Sequence, residues 1–425
     1  MAYNRKQRLN DNIKAIETAF ILDREQRTPT ARERLLLERY CGFGGLKCIL
    51  NPARELADAV HWAKSDLELF APTVELHRLI RENSKNESEY KQLMDSLKQS
   101  VLTAFYTPSA ITEALADVLK EHHIIPEKVL EPSAGIGAFV DSVLDNNPKA
   151  DIMAFEKDLL TGKILRHLHP EQKVRIEGFE KIEKPFNDYF DLAISNIPFG
   201  DVAVFDPSYT AMKGMRALVT RRIHNYFFVK ALDTVRGGGL VAFITSQGVL
   251  NAKNNSAARF MMLYHADLVS AIRLPNNLFT ENANTEVGSD LIILQKNTQK
   301  ESLRGDDNLL DTVYHDENRI PTNNYFLEHP ERIIHTTAKL DTDPFGKPAM
   351  IYTHEDGVEG IAEDLRKMLH EDFKKNLNLN RYLGIEETMA EEVKEVEETE
   401  KIEKTEKIKP TIEVKQNDTV VSLQK

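Results

Sequence analysis

Apolar and polar positions change their rhythm twice along the chain. Up to about residue 100, apolar residues recur every three to four positions in NDNIKAIETAFIL, ARERLLLERY and SEYKQLMDSLKQSVL, the spacing of one helix face. From 101 to about 300, short apolar runs alternate with helical patterns. KVLEPS, ADIMAFEKD, FDLAISN, GGGLVAFIT, LVSAIRLP and SDLIILQK read as strands, and GIGAFVDSVL, HNYFFVKALDTV and NSAARFMMLYH as helices. This alternation predicts an α/β fold, a mostly parallel sheet with helices on both faces, preceded by a helical accessory region over 1–100. The last two strands lie close in sequence and can pair antiparallel at one edge.

Beyond 300 the rhythm weakens. Residues 301–350 are polar, with prolines at 321, 330, 344 and 348, and predict loops and short elements packed on the core. GIAEDLRKMLHEDFKK predicts one more helix, which closes an appendage over 301–384. Residues 385–425 are an acidic low-complexity tail, expected to be disordered. A short helix there, or a nucleic-acid mimic lying in a basic groove, are the alternatives.

Composition changes this picture little. The net charge of -12 argues mildly against a nucleic-acid partner, but much of the acid sits in the tail and the sum is a poor guide. No run of apolar residues reaches membrane-spanning length and no secretory signal is legible. Two cysteines, Cys41 and Cys48, exclude a disulfide scaffold and match no common zinc spacing, so no metal is expected. A cytoplasmic location is the simple reading. The glycine-rich CGFGGLKC that contains both reads as a turn between helices or as a segment beside the site.

Three segments carry candidate chemistry. VLEPSAGIGAF runs from a strand through a glycine turn into a helix, a place where backbone approaches a ligand closely. Its pattern is not that of a dinucleotide site. Glu131 at the strand end would repel a pyrophosphate and tolerates a sulfonium or an amine instead. Glu156 closes the next strand about 20 residues on, the usual place for an acid that receives ribose hydroxyls. SNIPFG follows the strand FDLAI. There the Asn196 side-chain oxygen can accept a hydrogen bond from an exocyclic amine, and the carbonyl of Ile197 or Pro198 another. Phe199 offers a face to a flat ring. An ordinary turn after a strand is the plain alternative for SNIPFG taken alone.

In this order, VLEPSAGIGAF, AFEKD and SNIPFG resemble the amino-group DNA methyltransferases. TAFYTP upstream of the glycine turn resembles that family's N-terminal motif, so the arrangement is similar to the gamma order of adenine-N6 enzymes. Ile197 stands where the family usually has a proline, and the NIPFG variant resembles enzymes of phage and mobile-element type. The resemblance implies a Rossmann-like fold, S-adenosyl-L-methionine as cofactor and adenine in DNA as substrate. It implies that Asn196, Pro198 and Phe199 form the catalytic loop. Thr107, Glu131, Ser133, Gly135, Gly137, Glu156, Asn196 and Phe179 (or its neighbour Glu180) would bind the cofactor. Tyr106, Ile197 and Phe199 would meet the base. Among basic residues after the loop, Lys213, Arg216, His224 and above all Arg221 and Arg222 would contact phosphates, or else line a solvated loop. Cytosine-N4 methylation and a non-catalytic or anti-restriction DNA-binding module with the same fold remain as alternatives. No sizeable target-recognition domain is legible, so a helicase, nuclease or specificity partner is a further possibility.

Overall fold

A computed structural model describes residues 4–385, except 104, 213, 281–285, 304–306, 316–319 and 344–345. The chain divides into two units, Met1–Leu379 and Asn380–Lys425. The acidic tail from 386 onward lies outside the described residues, as does Lys213.

The first unit is built on a seven-stranded sheet: β1 (Lys128–Glu131), β2 (Asp151–Phe155), β3 (Lys173–Arg175), β4 (Phe190–Asn196), β5 (Val235–Ser246), β6 (Ala266–Leu274) and β7 (Ser289–Lys296). Their spatial order is β3-β2-β1-β4-β5-β7-β6. The pairings from β3 to β5 are parallel. β7 is antiparallel to both β5 and β6. The close spacing of β6 and β7 in sequence fits their pairing. What the sequence does not reveal is that β7 inserts beside β5 and leaves β6 at the edge. Its near-continuous apolar run, LIIL, is fully buried, as in a strand whose sheet is covered on both faces.

Parallel strands need crossover segments, which here are mostly helical. α1 (Arg5–Glu25), α2 (Ala31–Leu37), α3 (Phe70–Glu82) and α4 (Glu87–Thr103) precede the sheet, and α5 (Ser109–Glu121) leads into β1. α6 (Ala138–Asn146) and α7 (Leu159–Leu168) follow β1 and β2. The short α8 (Pro207–Thr210) and α9 (Met215–Val219), then α10 (Ile223–Thr234), join β4 to β5. α11 (Gly248–Asn251) and α12 (Ser256–His265) join β5 to β6. One core cluster unites Leu130, Ala193, Val241 and Ile292 of the sheet with Phe228 and Leu232 of α10 and Met262 of α12. The helix Gly357–Asn376 packs on β6 and on α5.

The N-terminal helices do not stand apart from this body. Ile16 and Phe20 of α1, Leu37 of α2 and Leu97 of α4 share one core with Leu160, Ile164 and Leu168 of α7. Tyr40 and Phe43 of the glycine-rich segment are buried in it. The turn is fastened by Asn12, whose Nδ2 donates to the Gly42 carbonyl at 2.6 Å and whose Oδ1 accepts from the Cys41 N–H at 2.9 Å.

Residues 301–350 contain more order than their polarity predicts. β8 (Thr312–His315) pairs antiparallel with β9 (Ile320–Asn323), and β10 (Thr337–Thr342) with β11 (Pro348–Thr353). Two-stranded ribbons have open edges, so Pro321 and Pro348, which opens β11, need no ladder donor there. Among the described residues, no helix is long and apolar enough to cross a membrane.

Candidate active site

Parallel pairing brings the carboxyl ends of β1, β2 and β4 to one edge of the sheet, and with them Glu131, Glu156 and Asn196. Three sequence motifs separated by dozens of residues thus meet at one crevice, where open α/β sheets bind ligands.

The turn after β1 is fixed by its backbone. Gly135 and Gly137 have φ of +57° and +94°, a region other residues avoid. The Ala134 N–H donates to the Phe155 carbonyl at 2.8 Å, and the Gly135 N–H to Glu156 Oε2 at 2.8 Å. Space is also short. A Cβ on Gly135 would come within 2.9 Å of the Tyr106 ring, and one on Gly137 within 2.5 Å of His169 Nε2. Ser133, partly buried, accepts from the Ser195 hydroxyl through its carbonyl at 3.2 Å, which ties the turn to β4.

The crevice is rich in uncompensated acid. Glu131 is 2% exposed and its Oε2 has no partner. Burial first, then Glu156 and Asp141, hold its carboxyl well above the ordinary range. Burial and then Asp158 push Glu156 up to about 8, although its oxygens accept from the N–H groups of Gly135 and Asp158. Asp158 caps α7 through the Thr161 N–H at 2.7 Å, and its second oxygen is unpartnered. Thr107 is buried with its hydroxyl likewise unpartnered. Buried polar atoms of this kind normally find partners. A ligand bringing a positive charge and hydroxyl donors would supply them, and S-adenosylmethionine has both.

Tyr106 lies over Gly135, and its hydroxyl is 3.3 Å from Thr161 Oγ1. Thr161 Oγ1 is also 3.2 Å from the hydroxyl of Tyr40, whose ring centroid is 6.5 Å from that of Tyr106. The YCGFGG segment therefore buttresses the site. Sequence reasoning left this open, because only its glycines and aromatics hinted at a role.

Asn196 ends β4. Its Nδ2 donates to the Phe105 carbonyl at 2.9 Å, and among the described residues nothing donates to its Oδ1. Pro198 and Phe199 are partly buried, and the Phe199 ring stands edge-on to Phe279 with centroids 6.5 Å apart. Ile197 is 1% exposed in the sheet core, and its N–H donates to the Ile244 carbonyl at 3.0 Å. Only its carbonyl remains to serve a substrate. This also explains why an isoleucine can stand there: the position faces the core.

Two other expectations change. Phe179 is 1% exposed, packed among Phe155, Tyr226 and Phe227. The more accessible acid of that turn is Glu180, 3.8 Å from Lys157 Nζ. Among the basic residues after the loop, most are spent internally. Arg216 forms a two-pronged pair with Asp233 at 2.6 and 2.9 Å. Arg222 pairs with Asp201 at 2.8 Å and donates to Asn255 Oδ1 at 2.7 Å. Burial pushes His224 down to about 4. Arg221 is exposed, with no ion pair among the described residues.

Residues 88–391 match the model of the family described as N-6 DNA Methylase. Over 201 residues the chain is 29% identical to Defense against restriction protein B of Escherichia phage P1, covering 46% of this chain and 8% of that protein. Over 173 residues it is 25% identical to the type II methyltransferase M.XamI of Xanthomonas campestris pv. amaranthicola, covering 38% of this chain and 33% of that one. The matches thus span a third or less of these relatives. A solved type I restriction-modification methyltransferase subunit from Streptococcus thermophilus aligns over 88% of this chain and 94% of its own, with 11% identity and a TM-score of 0.39.

Proposed function

The chain belongs to the N-6 DNA methylase family, and from that premise we propose that it transfers a methyl group from S-adenosyl-L-methionine to the exocyclic amine of adenine in DNA. The observation that carries this reading is the orientation of Asn196. One N–H of its amide donates to the Phe105 carbonyl, an arrangement that would leave its oxygen to accept from a substrate amine. A ring amine is a poor nucleophile because its lone pair is delocalised. Oδ1 accepting one amine hydrogen, and a carbonyl of Ile197 or Pro198 the other, would favour a pyramidal nitrogen with its lone pair available. The cofactor, when bound, supplies an electrophilic methyl group.

The remaining roles belong to the chain's own groups. Glu156 would receive the ribose hydroxyls, exchanging its bond to the Gly135 N–H. Glu131 and the Thr107 hydroxyl would meet the charged methionine end. Tyr106 would wall the pocket, and Phe199 would stack on the base (about 1–3 kcal/mol). A base inside a duplex cannot reach Asn196, so it must be extruded or arrive single-stranded.

An anti-restriction role is a second reading, favoured by the likeness to a phage protein named for defense against restriction. Methylation of the DNA would be one way to perform it. The deciding experiment is transfer from labelled S-adenosylmethionine to unmethylated duplex and single-stranded DNA, followed by digestion to nucleosides. Label in N6-methyladenine, lost in Asn196→Ala, is the expected result. Label in N4-methylcytosine would replace the base. Tight cofactor binding with no label in either would move the protein to a non-catalytic role.

A further inference from the structure

The segment after the catalytic loop holds an aromatic ring out in solvent. Phe205 is 77% exposed, although the residues on either side are firmly anchored. Val204 packs on the core, and its N–H donates to the Thr220 carbonyl at 2.8 Å. Asp206 is buried, accepting from the Tyr226 hydroxyl at 2.7 Å and the Ser208 N–H at 2.8 Å, with Lys230 Nζ at 3.3 Å. The exposure of Phe205 therefore follows from a fixed backbone. The Val204–Thr220 bond has a second consequence: it ties the segment that carries Phe205 to the segment that carries Arg221. Among the described residues no acid pairs with Arg221, whereas Arg216 and Arg222 are paired. Val202, at 59% exposure, and Met212, at 46%, add exposed apolar surface to the same stretch of chain.

An exposed phenyl ring six residues beyond Phe199, on a segment bonded to the one that carries an exposed arginine with no ion pair among the described residues, suits one ligand chemistry well: a base stack bordered by phosphate. Apolar side chains such as Phe and Met are the wedges that proteins insert between base steps, and an unpaired arginine is the usual phosphate contact. We propose that Phe205 and Arg221 form a DNA contact outside the base pocket. Phe205 enters the stack next to the extruded adenine, and Arg221 meets the adjoining phosphate. This rests on the DNA-methylation reading, and it adds the residue that keeps the vacated position open.

The test uses the full chain and a fluorescein-labelled duplex of mixed sequence rich in unmethylated adenines, followed by anisotropy over a salt series. S-adenosylhomocysteine binding, measured by calorimetry, serves as the control for an intact site. Phe205→Ala should weaken duplex binding on the order of 10-fold at every salt concentration and leave the salt slope and S-adenosylhomocysteine affinity unchanged. Phe205→Trp should restore binding. Arg221→Gln should lower the salt slope by about one. Phe205→Ala binding as tightly as the parent, or Phe205→Trp binding as weakly as Phe205→Ala, overturns the wedge. A parent chain that binds cofactor but no duplex overturns the DNA reading itself, and the wedge with it.

Discussion

The side-chain amide of Asn196 is held by the carbonyl of Phe105, 91 positions earlier in the chain, through a 2.9 Å hydrogen bond. The segment that carries Tyr106 and Thr107 to the crevice therefore also holds the side chain of Asn196, and under the proposed reading it would leave Oδ1 for the substrate amine. Asn196→Asp tests this directly. An aspartate keeps an acceptor for the amine but cannot donate to the carbonyl, and its charge is repelled by it. The expected outcome is a fall in kcat on the order of 100-fold, the size seen when one aligned transition-state hydrogen bond is lost. S-adenosylhomocysteine affinity should stay close to that of the parent. Steady-state methylation together with calorimetry separates the two, and an unchanged kcat would remove the orienting role from Phe105.

The acid-rich crevice should make the unliganded protein less stable as pH rises. Burial and Asp158 raise Glu156 from 4.5 to about 8, so the folded chain keeps a proton that the unfolded chain has released. Stability from this group is fully present below pH 4.5 and is lost as pH climbs through about 8. Glu156→Gln is neutral throughout and should flatten that part of the profile. A ligand whose hydroxyls donate to the carboxylate favours its ionised form, so S-adenosylhomocysteine should bind more tightly as pH passes 8. In Glu156→Gln that gain should vanish. Thermal unfolding and calorimetry from pH 6 to 9 measure both, and parallel profiles for the two proteins would contradict the assignment.

Much of this site was legible in the sequence because its signals are local. A glycine turn after a strand, an acid ending the next strand and an Asn-x-Pro-Phe turn each occupy a few consecutive positions. Chain order alone then places them at the ends of neighbouring strands. What escaped was long-range. Arg222 reads in sequence as a free cation, and only folding brings Asp201 and Asn255 to it. Phe179 reads as a ligand-facing aromatic, while its burial depends on Phe227 on a distant helix. The spacing of apolar residues in α1 predicts a buried face but not that α7 covers it. Likewise, β7 reads as a strand without disclosing that β5 is its neighbour.

The second glycine of the turn after β1 should tolerate no side chain. At φ of +94° an alanine is strained by about 1–3 kcal/mol, and its Cβ would meet the buried His169 ring at 2.5 Å. Gly137→Ala should therefore lower unfolding free energy by at least that strain, and it should weaken S-adenosylhomocysteine binding as the turn shifts. Chemical denaturation and calorimetry report the two effects. Gly214→Ala is the control: its φ of +88° carries similar strain, but a Cβ there meets nothing within 4 Å. A Gly137→Ala protein no less stable than Gly214→Ala would show that the turn can give way.

Arg222 and Arg221 are adjacent but differently placed, Arg222 paired and Arg221 exposed. Arg222 joins Asp201, just past the catalytic loop, to Asn255 at the start of α12. Asp201 is 77% exposed, so the ion pair itself contributes little. The bond to Asn255 matters more. Asn255 is 1% exposed, and it also donates to the Gly248 carbonyl at 2.6 Å and accepts from Asn225 at 2.8 Å. A hydrogen bond from a charged donor to a buried acceptor is worth about 1.5–3 kcal/mol. Arg222→Gln should therefore cost stability of that order and reduce kcat by loosening the segment behind Gly200. It should leave the salt dependence of DNA binding as it was, because Arg222 is already committed. A salt slope lowered by about one in Arg222→Gln, with stability unchanged, would instead mean that this arginine leaves Asn255 to meet a phosphate.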